Sequence, residues 1–185
     1  MGNDMKSFEY WFDFGSPAAY LAFTQLQKLE ADTNSKAVYR PMLLGGVFQA
    51  TGNQSPASVP AKGAYTFKDF DRFAKRYGVP FNSNPYFPIN TLLLMRGAMG
   101  MQQKEPERFL VYCKAVFQAI WVEALNMNDP ATVGAVLHNA GFDPQSLMTL
   151  ANETPIKEAL KAATTDAVAR GVFGAPTFFV GSQMF

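Results

Sequence analysis

Strand-prone sequence is confined to the two ends of this chain, and that confinement limits the folds open to it. Near residues 7 to 14, "SFEYWFDF" is aromatic and β-prone; "AVYRPMLL" is a second short run, and "TFFV" lies close to the other terminus. Between the first two runs, "SPAAYLAFTQLQKLEAD" repeats Tyr20, Phe23, Leu26 and Leu29 at helical spacing. Two strands joined by one helix make a βαβ unit, whose strands are expected to be parallel. At the far end, "TPIKEALKAATTDAVARG" predicts a helix with Thr154 as N-cap, Pro155 at its first position and Gly171 at its end. "TFFV", the turn "GSQ" and "MF" then predict a hairpin. The two ends together predict one α/β domain.

The middle reads differently. From Tyr65 onward, "TFKDFDRFAKRYG" predicts a helix closed by Gly78, and the three prolines of "VPFNSNPYFPIN" require an extended segment. Residues 90–103, 106–126, 130–140 and 144–152 predict further helices. Asn128 or Asp129 before Pro130, and Asp143 before Pro144, are good helix starts. The expected organisation is therefore a domain built from residues 1–64 and 154–185, interrupted by an all-helical insertion over 65–153. The stretch "GGVFQATGNQSPASVPAK", from Gly45 to Lys62, predicts an exposed irregular loop. Long ordered loops often carry function.

Composition narrows the function classes. Hydrophobic residues are 48% of the 185, enough for a sizeable core. A net charge of +1, with no basic run, provides no field to steer nucleic acid. The one cysteine, Cys113, rules out an intrachain disulfide and fits a reducing compartment. It sits in "FLVYCKAVF" and reads as a small buried apolar residue. No signal core opens the sequence, Lys6 stands where myristoylation needs Ser or Thr, and the apolar runs are too short to span a bilayer. The expectation is a cytoplasmic protein without nucleic-acid or membrane partners. His138 is the only histidine, near a predicted helix end, so no metal site is expected.

Two short stretches could carry chemistry. Ser16-Pro17 is, on local grounds, a helix start, because Ser is a favoured N-cap and Pro suits the first helical position. That role is compatible with a second one. A helix N-terminus presents free N–H groups and a positive dipole end, which stabilise an anion such as a thiolate. The other stretch is "GAPTFF". A proline that opens a strand after a Gly-flanked turn can be cis or trans, and spacing alone leaves both open.

A strand, a helix with its reactive position at the N-cap, and a later proline before a strand form the thioredoxin arrangement; the helical insertion is similar to its DsbA-like branch. That branch opens its first helix with Cys-x-x-Cys. Here the tetrapeptide is "SPAA", which excludes dithiol exchange at this position. The segments "FDFGSPAAYLA", "GNQSPASVPAKGAY", "NPYFPINTLLLMRGA", "VFQAIWVEALNM" and "GVFGAPTFFVG", taken in order, resemble those of 2-hydroxychromene-2-carboxylate isomerases and their relatives, the kappa-class glutathione S-transferases. The isomerase branch looks closer.

The resemblance implies glutathione as cofactor and a flat aromatic small molecule as second ligand. It implies that Ser16 hydrogen-bonds and activates the glutathione sulfur rather than acting as the nucleophile. Asn53 and Lys62 match glutathione contacts, Lys62 toward a carboxylate, and Ala175, before the expected cis Pro176, matches a backbone contact to the cysteinyl part. Phe48, Arg96 and Trp121 are candidates for the second-substrate pocket, Arg96 for a substrate carboxylate. Without the resemblance, Asn53 is equally a turn residue, Trp121 equally a core residue and Arg96 equally the partner of a nearby acid, while Lys62 reads as an ordinary solvated lysine. A homodimer is implied as well. Relatives continue past the position of Phe185 with an acidic residue that meets the γ-glutamyl amino group and a helix over one sheet face, so the domain is expected to be cut short here and its glutathione affinity reduced. Three functional readings stay open: an isomerase that recycles glutathione, a transferase that consumes it, and a non-catalytic binding module. A disulfide oxidoreductase is disfavoured by the single cysteine.

Overall fold

The computed structural model describes residues 6–185. Strand β1 (Lys6–Phe12), helix α1 (Pro17–Thr33) and strand β2 (Ser35–Pro41) form the expected βαβ unit, with β1 and β2 parallel and Tyr10 opposite Tyr39. Strands β3 (Thr177–Val180) and β4 (Gln183–Met184) form the hairpin, and β3 runs antiparallel to β1. The sheet order is β2-β1-β3-β4. This is the DsbA-like thioredoxin architecture: a mixed sheet with a helical insertion.

Alternation along β1 divides the core. Phe8, Tyr10 and Phe12 point to the face that packs against α1 and the insertion, while Trp11 points to the other face. On that second face Trp11 joins Met42, Val47, Ala167, Val172 and Phe179. Both sheet faces are thus apolar, which explains why β1 reads as a nearly continuous aromatic run. Arg170 and Arg40 lie over the Trp11 ring and pair with Glu9 at its side.

The stretch expected to be a loop is mostly helical. Helix α2 occupies Leu44–Thr51, a 3-10 turn covers Pro56–Ser58, and helix α3 runs over Pro60–Tyr77. The expected boundary at residues 64 and 65 therefore falls inside α3. Gly45 and Gly46 read as loop residues, yet α2 lies against helix α8 (Thr154–Ala169), and a Cβ on Gly46 would meet Thr164 Cγ2 at 3.1 Å. Close approach of two helices accounts for that glycine better than turn geometry does.

Helices α4 (Leu92–Lys104), α5 (Phe109–Trp121), α6 (Pro130–Asn139) and α7 (Pro144–Asn152) complete the insertion. Asp129 and Asp143 cap α6 and α7 by accepting from Thr132 N and Ser146 N, as expected. Helix α5 is shorter than expected, since the chain turns after Trp121 and Ala124 takes a positive φ of 53°. Thr154 is the first residue of α8 rather than its cap; Glu153 precedes it without a side-chain cap bond. Gly78 closes α3 in the left-handed conformation, as read from the sequence. Among the described residues no helix is long and apolar enough to cross a membrane, and no group of His, Cys, Asp or Glu is arranged to hold a metal ion.

Candidate functional site

Helix α1 begins where β1 leaves the sheet, and Ser16 is its N-cap. The Ser16 Oγ accepts from Ala19 N at 3.1 Å and donates to Ala175 O at 2.7 Å. Its hydroxyl therefore joins the start of α1 to the segment before β3, where the Ala175–Pro176 peptide is cis. Pro17 has no N–H, Ala19 N is taken by Ser16, and Tyr20 N donates to Ser16 O. Among the described residues, Ala18 N–H has no acceptor in the first turn. It stands beside the Ser16 hydroxyl at the positive end of the helix.

These groups open into a cleft of about 730 Å³. One wall is α2 and the chain after it, including Phe48 and Asn53; a second is the first half of α3, with Lys62, Phe67 and Phe70. The segment Phe87–Thr91 forms a third, and Phe173 to Ala175 close the side toward β3. Pro176 lies just behind Ala175, and its ring opens strand β3. Thus Ser16, Phe48, Asn53, Lys62 and Ala175, which lie far apart in sequence, all border one cavity.

Each polar member has a definite state. Asn53 Nδ2 donates to Phe173 O at 2.8 Å, while its Oδ1 accepts from Gln54 N, so this side chain bridges two cleft walls. Lys62 is exposed and has no carboxylate partner among the described residues. It occupies the first turn of α3, where the helix dipole disfavours a cation. The N-cap residue Val59 makes no side-chain cap bond there. An anion placed at this end of α3 would be favoured by the dipole and by Lys62 together.

Asp13 was not foreseen as a site residue. It is 1% exposed and borders the cleft floor. Its Oδ1 accepts from Gly15 N at 2.8 Å and Thr91 Oγ1 at 2.6 Å, and its Oδ2 accepts from Leu44 N at 2.8 Å. One carboxylate thereby ties the turn before Ser16, the start of α2 and the start of α4. Burial pushes its pKa up from the ordinary aspartate value, outweighing the three donated bonds that pull it down. Only the order "DFGSP" hinted at this role: a carboxylate three residues ahead of a helix cap.

Two expected pocket residues lie elsewhere. Trp121 is fully buried, its Nε1 donating to Phe14 O at 2.8 Å, and it does not border the cleft. The aromatic wall consists instead of Phe67, Phe70 and Phe87, with Phe67 edge-on to both others. Trp121 sits one layer behind, 6.0 Å from the Phe87 ring. The stretch "TFKDFDRF" predicted a helix, but only packing shows which face of α3 meets the cavity. Arg96 borders a separate pocket on the far side of the Phe87–Thr91 wall. Cys113 is buried in α5, its thiol pKa raised by burial, so no protein thiol reaches the cleft.

Comparison with known proteins agrees with this geometry. Residues 8–185 match the model of the DSBA-like thioredoxin domain. A 2-hydroxychromene-2-carboxylate isomerase of Pseudomonas putida is 30% identical over 180 residues, spanning 96% of this chain and 86% of that protein. Glutathione S-transferase kappa 1 of Rattus norvegicus is 27% identical over 185 residues, spanning 96% of this chain and 82% of that protein. A solved structure of 2-hydroxychromene-2-carboxylate isomerase superposes with a TM-score of 0.84 at 27% identity, covering 97% of this chain and 87% of that one.

Proposed function

From the premise that this chain belongs to the DSBA-like thioredoxin family, in the branch of the 2-hydroxychromene-2-carboxylate isomerases and kappa-class glutathione transferases, we propose that it is a glutathione-dependent cis–trans isomerase of 2-hydroxychromene-2-carboxylate-type aromatic compounds. The observation that carries the proposal is the Ser16 hydroxyl beside the free Ala18 N–H at the start of α1, in a cleft that no protein thiol enters. That environment suits a thiolate brought by a ligand.

The cleft residues fit glutathione on chemical grounds. The Ala175 N–H has no acceptor among the described residues and its C=O holds only the Ser16 hydroxyl, so a peptide unit could pair there in short β-fashion. Lys62 and the uncapped start of α3 suit a carboxylate, and Asn53 keeps one amide proton for a further acceptor. When bound, glutathione would supply a thiolate that adds reversibly to a conjugated side chain, letting the former double bond rotate before elimination restores it.

The protein's own contribution is positioning and electrostatics. Ser16 has one hydroxyl proton, now given to Ala175 O. If a ligand N–H satisfies that carbonyl, the proton is released to hydrogen-bond a sulfur anion. Asp13 holds the turn that carries Ser16 through its bonds to Gly15 N, Leu44 N and Thr91 Oγ1. Phe67, Phe70 and Phe87 offer flat apolar faces to an aromatic ring. Phe48 borders the same cleft from α2. The cytoplasm and a homodimeric state complete the proposal; the lone buried cysteine supports a reducing compartment.

The test is thiolate absorbance in the ultraviolet during titration with glutathione across pH, for the parent and Ser16→Ala. The bound thiol should ionise well below its free pKa in the parent, and Ser16→Ala should raise that value while costing about 1 kcal/mol as a lost cap. Absence of any bound thiolate in the parent would sink the reading. Comparable similarity to a kappa-class transferase favours one alternative, conjugation of glutathione to an electrophile. Product analysis separates the two, because free glutathione is recovered only from isomerisation.

A further inference from the structure

Arg96 marks a second cavity that the proposed reaction does not use. The residue stands on α4, is half-buried, and makes no hydrogen bond or ion pair with any described residue; its Nε is sealed from water without a partner. A guanidinium stays charged in proteins, and a charge partly withdrawn from water calls for acceptors. Asp129 caps α6 next to Pro130 of this cavity, but its Oδ2 is occupied by Thr132 N and Thr132 Oγ1 at 2.9 and 2.7 Å, and it does not pair with Arg96.

The cavity beside Arg96 measures about 220 Å³. Its other polar side chains are Asn90 and Asn128. Asn128 Oδ1 accepts from Asn90 N at 2.8 Å, and Asn128 Nδ2 faces Tyr86 O and Pro88 O at 3.3 and 3.5 Å. Asn90 Oδ1 accepts from Leu92 N at 3.2 Å, which leaves Asn90 Nδ2 unengaged. The free side-chain groups at this end are donors, and one carries a positive charge. Directly adjoining is a pocket of about 190 Å³ that shares Leu93, Leu94, Pro130, Val133 and Met148 with the first and continues to Leu137 and Leu147. A cationic donor end thus leads into an apolar chamber between α4, α6 and α7.

The segment Ile89–Leu92 separates this cavity from the Ser16 cleft. Ile89 and Thr91 border the cleft, while Asn90 and Leu92 border the second cavity.

We infer that the paired cavity is a binding site for a medium-chain monocarboxylate, its carboxylate on Arg96 and Asn90 Nδ2 and its alkyl chain along Leu93, Val133 and Met148. Guanidinium and carboxylate form charge-assisted bonds of matched geometry, and each methylene that leaves water strengthens binding. The site is independent of glutathione.

The experiment is calorimetric titration of the whole chain with octanoate and with acetate. Octanoate should bind saturably at one site, at least about tenfold more tightly than acetate. Arg96→Gln should weaken octanoate at least about tenfold, and Met148→Trp should weaken octanoate more than acetate. Ser16→Ala should leave octanoate binding unchanged. No saturable octanoate binding overturns the inference, as do equal affinity in Arg96→Gln, acetate binding as tightly as octanoate, or displacement of octanoate by S-methylglutathione. If Arg96→Gln does not fold, Met148→Trp decides: unchanged octanoate affinity there also overturns it.

Discussion

Replacing Thr91 with valine removes one hydroxyl while nearly preserving shape. Thr91 is 6% exposed and stands at the N-cap of α4, yet its side chain makes no cap bond; the hydroxyl is given to Asp13 Oδ1 at 2.6 Å. The substitution therefore isolates one charge-assisted bond and leaves Gly15 N and Leu44 N to hold the carboxylate. Bonds to charged groups contribute about 1.5–3 kcal/mol, so about 2 kcal/mol should be lost near neutral pH. The pH dependence has a definite sign. Burial raises the Asp13 pKa above 3.8, so its contribution to stability is largest below 3.8 and is lost as pH rises through the folded-state value. The bond from Thr91 limits that loss, and without it the folded-state value rises further. The deficit of Thr91→Val should thus be greatest at neutral pH and shrink as pH falls through the raised value. Urea unfolding of both proteins at pH 7.5, and at successively lower pH where both still unfold in two states, measures it at constant m. A deficit under about 0.5 kcal/mol at pH 7.5, within the range of ordinary surface substitutions, would refute the reasoning. So would a deficit that stays constant or grows toward acid.

Gly97→Ala should be destabilising although alanine favours helices by about 1 kcal/mol. Its Cβ would sit 2.2 Å from Tyr112 Oη, which is held by Leu94 O at 2.8 Å in a fully packed site, and overpacking of that kind costs about 1–3 kcal/mol. A thermal midpoint equal to or above the parent's would contradict this. Phe67→Leu should raise KM for the aromatic substrate with little loss of stability, whereas Trp121→Phe should lower stability by about 1–3 kcal/mol through the orphaned Phe14 carbonyl and leave KM nearly unchanged. The reverse pattern would return Trp121 to the pocket wall.

Legibility followed the range of the interactions involved. The N-caps Asp129 and Asp143, the closing Gly78 and the strand character of β1 were readable because each depends on residues within one turn or one strand. Helix α2 was not, because Gly45 and Gly46 together carry a loop signature and only the approach of α8 at Gly46 accounts for a glycine there. Among the site candidates, Ser16, Phe48, Asn53, Lys62 and Ala175 do share a cavity, while Arg96 borders another cavity and Trp121 is buried behind the aromatic wall. Both were candidates through the resemblance, and a match in sequence does not reveal which neighbour a side chain meets. Asp13 carried almost no signal, since a lone carboxylate after an aromatic run acquires meaning only when Leu44 N and Thr91 Oγ1 arrive beside it.

By itself, then, the amino-acid order determined where strands and most helices form, that the first helix opens on a serine, and that no dithiol can act there. These depend on backbone propensity, capping and the presence or absence of a thiol, all local quantities. Tertiary structure alone decided that the Ser16 hydroxyl binds Ala175 O across 159 positions of sequence, that Asn53 bridges to Phe173, that α3 supplies the aromatic wall, and that Arg96 faces a cavity of its own. Those contacts arise from how two apolar sheet faces recruit helices from distant parts of the chain, and packing of that kind is a property of the whole molecule rather than of any one stretch.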